Sequence, residues 1–298
     1  MRYSDAWQDY ELIDTSDNER LERWGNVILI RPDPQIIWTT DRRNPLWRKA
    51  DARYSRSSSG GGSWQVNTKI PDSWRIKYQD LTFAVKPMGF KHTGVFPEQA
   101  VNWEHMTRLI QSEKKRNPQK EIRVLNLFAY TGAATCACLL AGANVCHVDA
   151  SKGMTAWAKE NAALSSAPKE RQRWIVEDCI KFIRREQRRG STYDAVIMDP
   201  PSYGRGPNGE VWKLEEQVFS LVEECVKVLS PNPLFFVINS YTTGLSPSVM
   251  NYIAGLLIKP KFGGFLYADE IGIPVSETGL ILPCGASAIW QSSDEIKP

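Results

Sequence analysis

From about residue 122 onward, short apolar runs alternate with longer stretches in which apolar residues recur every three or four positions. That rhythm predicts buried strands separated by amphipathic helices, the pattern of a parallel sheet covered on both faces. Strands are expected at Ile122–Phe128, Val145–Val148, Trp174–Val176, Ala195–Met198 and Leu234–Ile238. Helices are expected over Ala133–Leu140, Lys152–Leu164, Cys179–Arg189 and Lys213–Val228. Two last runs, near Phe265–Ile271 and Ala286–Trp290, complete a seven-stranded, mostly parallel, doubly wound α/β sheet of Rossmann-like type. Phe128–Val148 is nearly uncharged and long enough to imitate a membrane span, but Gly132, Gly142 and a turn-like Gly-Ala-Asn interrupt it. Strand, helix and strand explain it better.

The first 95 residues have another texture, rich in Trp, Pro and Arg, with β-like runs at Val27–Ile30, Ile36–Trp38 and Leu81–Val85. They predict a small β-rich domain or extension over residues 1–95, followed by the α/β domain over 96–298. A helical segment, Pro97–Glu113, opens the second domain and ends in Lys114-Lys115-Arg116-Asn117-Pro118. Ser57-Ser58-Ser59-Gly60-Gly61-Gly62 has no means of packing a core and reads as a hairpin tip or linker. A backbone cradle for phosphate is its alternative.

Composition narrows the class. With 298 residues, 42% hydrophobic and 24% charged, the chain is long enough for a substantial core and ordinary for a globular enzyme. Its 37 basic and 34 acidic residues leave a net charge of +3, too small to imply nucleic acid by itself. The 11 tryptophans are expected in the core, with base stacking as the other possibility. The six cysteines form no CxxC pair and there are only three histidines, so no metal site is expected. Reduced thiols and a start without an apolar stretch predict a cytoplasmic location.

Candidate chemistry gathers at the carboxyl ends of the predicted strands, where open α/β sheets bind ligands. Strand one runs into Ala129-Tyr130-Thr131-Gly132, whose amides at a helix start favour a negative group such as a methionine carboxylate. Asp149 ends strand two and is placed to accept from both hydroxyls of a ribose, unless it only caps the next helix, a role Ser151 can also fill. Asp178, after strand three, can accept from an adenine amine or merely cap the helix at Cys179. Strand four ends in Asp199-Pro200-Pro201-Ser202-Tyr203-Gly204-Arg205-Gly206. Two prolines force a rigid turn out of the sheet, suited to holding a planar nucleophile in line with a sulfonium methyl. Asp199 and the Pro200 carbonyl can accept from an amine, and Tyr203 can stack on a base.

Val124–Gly132, Val148-Asp149-Ala150-Ser151 and Met198–Tyr203 together resemble the class I S-adenosylmethionine-dependent methyltransferases related to the bacterial 23S ribosomal RNA large-subunit methyltransferases I and K. Lys91–Gln99 resembles the segment that helps enclose the cofactor in that group, with His92 as a departure. Residues 1–80 depart from the RNA-binding PUA domain of those relatives. The resemblance implies that Tyr130, Thr131 and Gly132 contact the methionine part, Asp149 the ribose and Asp178 the adenine. It also implies that Phe96 and Gln99 line the pocket and that Asp199, Pro200, Pro201 and Tyr203 face the methyl acceptor. The cytosine-C5 methylating relatives carry a cysteine just after strand five, where this chain has Asn239-Ser240. Lacking that thiolate, the chain is expected to methylate a nitrogen, and Cys284 is the only cysteine expected to approach the pocket from a loop.

Asn239 and Arg205 are the candidate acceptor contacts, with Gly204–Gly209 expected as a mobile lid. Lys114-Lys115-Arg116 and Arg184–Arg189 either track a phosphate backbone or form a solvated helix face. The leading expectation is an RNA base methyltransferase. A methyltransferase of small molecules or proteins, and a non-catalytic cofactor-binding RNA factor, are the alternatives.

Overall fold

The computed structural model describes residues 1–57, 61–205, 211–242 and 244–298. Contacts divide the chain into two units: residues 3–100 with 272–284, and residues 1–2, 101–271 and 285–298.

In chain order the strands of the N-terminal part are β1 (Arg2–Tyr3), β2 (Tyr10–Ser16), β3 (Glu19–Trp24), β4 (Val27–Pro32), β5 (Ala52–Arg56), β6 (Gly62–Val66), β7 (Trp74–Tyr78) and β8 (Leu81–Val85), with a short helix α1 (Leu46–Lys49). Strands β2 to β6 form one sheet in sequence order, and β7 and β8 form a hairpin. Ile13, Leu21, Ile30 and Trp47 make a small core against it. On the opposite face of the β3–β4 pair lies a buried ionic group: Arg31 pairs with Glu22 at 2.5 Å and Arg20 donates to Asp33 at 2.6 Å. The strand expected at Ile36–Trp38 does not form. Pro32 and Pro34 remove ladder donors just before it, and its carbonyls instead accept from the amides of Asp17 and Asn18 in the β2–β3 turn. The tip expected at Ser57–Gly62 closes the β5–β6 hairpin through the Ser57 amide on the Gly61 carbonyl; residues 58–60 lie outside the described residues.

After β8 the chain carries α2 (Ala100–Arg116), β9 (Arg123–Leu127), α3 (Ala133–Leu140), β10 (Asn144–Asp149), α4 (Lys152–Leu164), β11 (Gln172–Val176), α5 (Cys179–Arg188) and β12 (Ala195–Met198). After these come β13 (Tyr203–Arg205), β14 (Val211–Lys213), α6 (Leu214–Val226), β15 (Phe235–Ser240), α7 (Pro247–Leu257), α8 (Lys259–Phe262), β16 (Phe265–Pro274) and β17 (Ile281–Gln291). The seven expected strands form one sheet in the order β16-β17-β15-β12-β9-β10-β11, and the two-residue β1 adds an eighth at the edge. Strands β15, β12, β9, β10 and β11 are parallel, and β17 is antiparallel to β15. The central strands read as unbroken apolar runs because both faces are covered: every residue of β12 and β15 is buried. Phe182, Val218, Leu221 and Met250, from α5, α6 and α7, share one core with Leu127, Met198 and Ile238. Phe128–Val148 is strand end, helix and strand, and among the described residues no helix is long and apolar enough to cross a membrane.

Candidate functional site

The chain runs outward from β9 through β10 to β11, then returns to place β12 on the other flank of β9. The reversal between β9 and β12 opens a crevice at their carboxyl ends. Strand register decides what faces it. Val148 pairs with Leu127, Leu127 with Met198, and Met198 with Ile238. The residues one step further, Asp149, Phe128, Asp199 and Asn239, therefore stand at one level across four adjacent strands. Four residues up to 111 positions apart in sequence thus form one rank at the sheet edge.

The loop after β9 is strained and firmly tied. Phe128, Tyr130 and Gly132 have φ of 54°, 50° and 80°, a left-handed backbone that Phe and Tyr adopt only under constraint. The constraints are visible. The Phe128 amide lies 3.3 Å from Cys179 Sγ, the Ala129 amide donates to the Val148 carbonyl at 3.1 Å, and Asn161 Nδ2 donates to the Thr131 carbonyl at 2.8 Å. Gly132 sits where a Cβ would come within 2.8 Å of Ala158 Cβ, so only glycine lets α3 approach α4 this closely. Beneath the loop, Asn126 Nδ2 donates to Thr135 Oγ1 at 2.9 Å, and that hydroxyl lies 3.0 Å from His147 Nδ1. Burial holds His147 down at about 3, so its ring is neutral.

Asp149 accepts from the Tyr130 amide at 2.9 Å through Oδ2 and from the Ser151 amide at 2.8 Å through Oδ1. It does not cap α4; Ser151 does, accepting from the Met154 amide. Burial pushes the Asp149 carboxyl above the ordinary aspartate value, and the two amides oppose that shift. A carboxylate has four acceptor positions, so two remain for a pair of vicinal hydroxyls. Together with the amide-lined loop at the start of α3, that donor and acceptor set fits a nucleoside carrying a charged amino-acid group. Asp178 is exposed and caps α5 by accepting from the Lys181 amide at 2.9 Å. One of its oxygens is thereby committed to the helix.

On the other side of the crevice, Asp199 is half-buried, Pro200 buried and Pro201 exposed. Tyr203 is 53% exposed and opens β13, which pairs with β14. Trp212 of β14 was not anticipated from sequence. Its indole donates to the Pro201 carbonyl at 2.6 Å, and its ring lies 6.0 Å from that of Phe128. A tryptophan beside a proline turn carries no periodic signal that could have found it. The lid expected over Gly204–Gly209 is strand at Gly204 and Arg205; its other residues, like the Arg205 side chain, lie outside the described residues.

Asn239 is buried at 4% exposure and held from two sides. Its Oδ1 accepts from Asn102 Nδ2 at 3.1 Å and from Ser287 Oγ at 2.6 Å, and Arg2 holds Asn102 in turn at 3.0 Å. With Oδ1 engaged, the amide that Asn239 can present to a ligand is Nδ2. Phe96 and Gln99 belong to the other unit. There the Phe96 ring lies 5.1 Å from that of His92, and the Gln99 amide donates to the Phe96 carbonyl.

Cys284 departs from expectation. It lies within β17 and not in a loop, at 4% exposure, 3.6 Å from an Arg20 guanidinium nitrogen. Pro283 beside it suggested a turn, but the strand continues through it. All six cysteines are buried. Burial raises each thiol above its ordinary value, that of Cys136 to about 12 and that of Cys146 to about 11. Among the described residues no group of three or more His, Cys, Asp or Glu side chains could hold a metal ion.

Comparison with known proteins agrees with this fold. The "Ribosomal RNA large subunit methyltransferase K/L" of Shewanella sp. (strain ANA-3) is 32% identical over 153 residues, covering 50% of this chain. The chain spans only about 20% of the length of that relative. The crystal structure of a SAM-dependent methyltransferase from Agrobacterium tumefaciens is 34% identical, with a TM-score of 0.89 over 97% of this chain and 92% of its own. A methyltransferase solved with SAH shares the fold at 16% identity, with a TM-score of 0.72 over 96% of this chain and 76% of its own. Residues 50–235 match the family described as S-adenosylmethionine-dependent methyltransferase, and the chain belongs to that family.

Proposed function

We propose that the chain transfers the methyl group of S-adenosylmethionine to a nitrogen of an RNA base, with ribosomal RNA as the substrate class. The observation that carries the choice of nitrogen is that every cysteine is buried, whereas the end of β12 offers Asp199, half-buried, at the sheet edge. Carbon 5 of a pyrimidine becomes nucleophilic only after a thiolate adds to the ring. None of these thiols is exposed or readily ionised.

In this reading Asp149 holds the ribose hydroxyls, the Tyr130–Gly132 loop holds the methionine part, and Asp178 reaches the adenine with the oxygen that does not cap α5. S-adenosylmethionine supplies an electrophilic methyl on a sulfonium. Asp199 and the Pro200 carbonyl accept hydrogens of the acceptor amine, and so aim its lone pair at the crevice. Tyr203 stacks on the acceptor base, with Trp212 bracing the turn behind it. Asn239 Nδ2 and Arg205 complete the acceptor contacts. RNA as acceptor is supported by the ribosomal RNA methyltransferases named above and by the exposed Arg184 and Arg188 on α5.

The test is to incubate the protein with labelled S-adenosylmethionine and separate fractions of RNA, protein and small metabolites. Label in RNA is expected. Label only in protein or metabolites would refute RNA as substrate, and cofactor binding without transfer to any fraction would mark a non-catalytic factor.

A further inference from the structure

Within the N-terminal unit, the loop between β8 and the Pro97–Gln99 turn carries an aromatic side chain in the open. Phe90 is 63% exposed, although Val85 and Thr93 on either side are fully buried. Its loop is built to stay in place. Tyr54 and Trp64 face each other across the β5–β6 hairpin, their rings 5.4 Å apart. The Trp64 indole donates to the Met88 carbonyl at 2.8 Å, and the Tyr54 hydroxyl to the Gly89 carbonyl at 3.2 Å. On the far side, Arg31 donates to the Lys91 carbonyl at 3.0 Å, and the Lys86 amide closes the loop on the Thr93 carbonyl at 3.1 Å. A buried tyrosine, a half-buried tryptophan and a buried arginine thus grip the residues on both sides of Phe90, and its ring remains in water.

The surroundings are cationic. Arg56 follows Tyr54 by two residues on β5 and is exposed, and its guanidinium makes no ion pair among the described residues. Lys91 and His92 both sense the excess of positive charge: burial first, then Arg20, Arg31 and Arg56, lower the Lys91 ammonium to about 8 and His92 to about 3. Asp33 offsets part of this for Lys91. An exposed ring on a fixed loop, next to unpaired cationic charge, suits a ligand with flat faces and negative charge between them. Single-stranded nucleic acid has that chemistry, since every base has a stackable face and every linkage a phosphate.

We propose that Phe90 and Arg56 form a contact for single-stranded RNA on the N-terminal unit, the ring stacking on an unpaired base and the guanidinium meeting phosphate. This rests on RNA being the substrate class, and adds where the substrate is held outside the methyl-transfer crevice.

The experiment measures binding of a labelled single-stranded oligoribonucleotide of mixed sequence to the full chain, for wild type, Phe90→Ala, Phe90→Leu, Phe90→Trp and Arg56→Ala. Phe90→Ala should weaken binding roughly tenfold. Phe90→Leu should weaken it as much, because apolar area without a ring cannot stack, and Phe90→Trp should restore it. Arg56→Ala should lower the slope of log affinity against log salt by about 1. An exposed side chain that did no more than fill space would give the same affinity in all three Phe90 variants. That equality, with wild type binding normally, would overturn the Phe90 contact and leave RNA as substrate intact. Failure of the wild type to bind RNA even at low salt would overturn both.

Discussion

Asp149 Oδ2 accepts the Tyr130 amide at 2.9 Å and so ties the end of β10 to the strained loop after β9. One carboxylate thereby positions that loop while keeping lone pairs for a ligand.

Asp149→Ala should lose about 2 kcal/mol of S-adenosylmethionine affinity, since both ribose hydroxyls and the Tyr130 amide lose an acceptor. Asp149→Asn should lose part of this, because the amide keeps one acceptor oxygen. Titration calorimetry on the folded variants checks it, and unchanged affinity in both would remove Asp149 from the site.

Asp199→Ala should separate binding from chemistry. Cofactor affinity should stay near the wild-type value while turnover falls by roughly a hundredfold or more. Loss of cofactor affinity with turnover retained at saturation would reverse the assignment.

Gly132→Ala should be costly on two counts: a Cβ would come within 2.8 Å of Ala158, and a φ of 80° is unfavourable for alanine. We expect about 2 kcal/mol of lost stability in urea denaturation. The double variant that also carries Ala158→Gly should recover the packing share and leave the backbone share.

Glu186 supplies a pH test of the fold. It is fully buried and accepts from Arg173 at 2.9 Å and Tyr193 at 2.7 Å. Burial opposes its charge, but these partners outweigh burial and hold the carboxyl down at about 2. A folded value below the unfolded one contributes stability above the ordinary carboxylate range, lost as pH falls through about 2. Glu186→Gln should therefore be less stable than wild type by about 2 kcal/mol at neutral pH, Arg173 being half in solvent. The two proteins should converge toward pH 2; a constant gap across that range would show that the charge plays no part.

The sheet was legible because both-face burial turns each central strand into a continuous apolar run; β12 begins and ends where that run does, at Ala195 and Met198. The rank of Asp149, Phe128, Asp199 and Asn239 was only partly legible. The two aspartates stand out as charges ending apolar strands, whereas register, which sets Phe128 between them, appears only once the strands are paired. The hold of Asn102 and Ser287 on Asn239 joins residues 137 and 48 positions apart and leaves no local trace. Cys284 misled because a proline beside it suggested a turn, where tertiary pairing instead carries β17 from Ile281 to Gln291.

The most direct test of the whole account is to find the atom that receives the methyl group. RNA treated with the protein and isotopically labelled S-adenosylmethionine is digested to nucleosides and read by mass spectrometry, for wild type and for Cys284→Ser. The account predicts label on a base nitrogen, at the same yield in both proteins. Labelled 5-methylcytosine from the wild type, absent from Cys284→Ser, would contradict it.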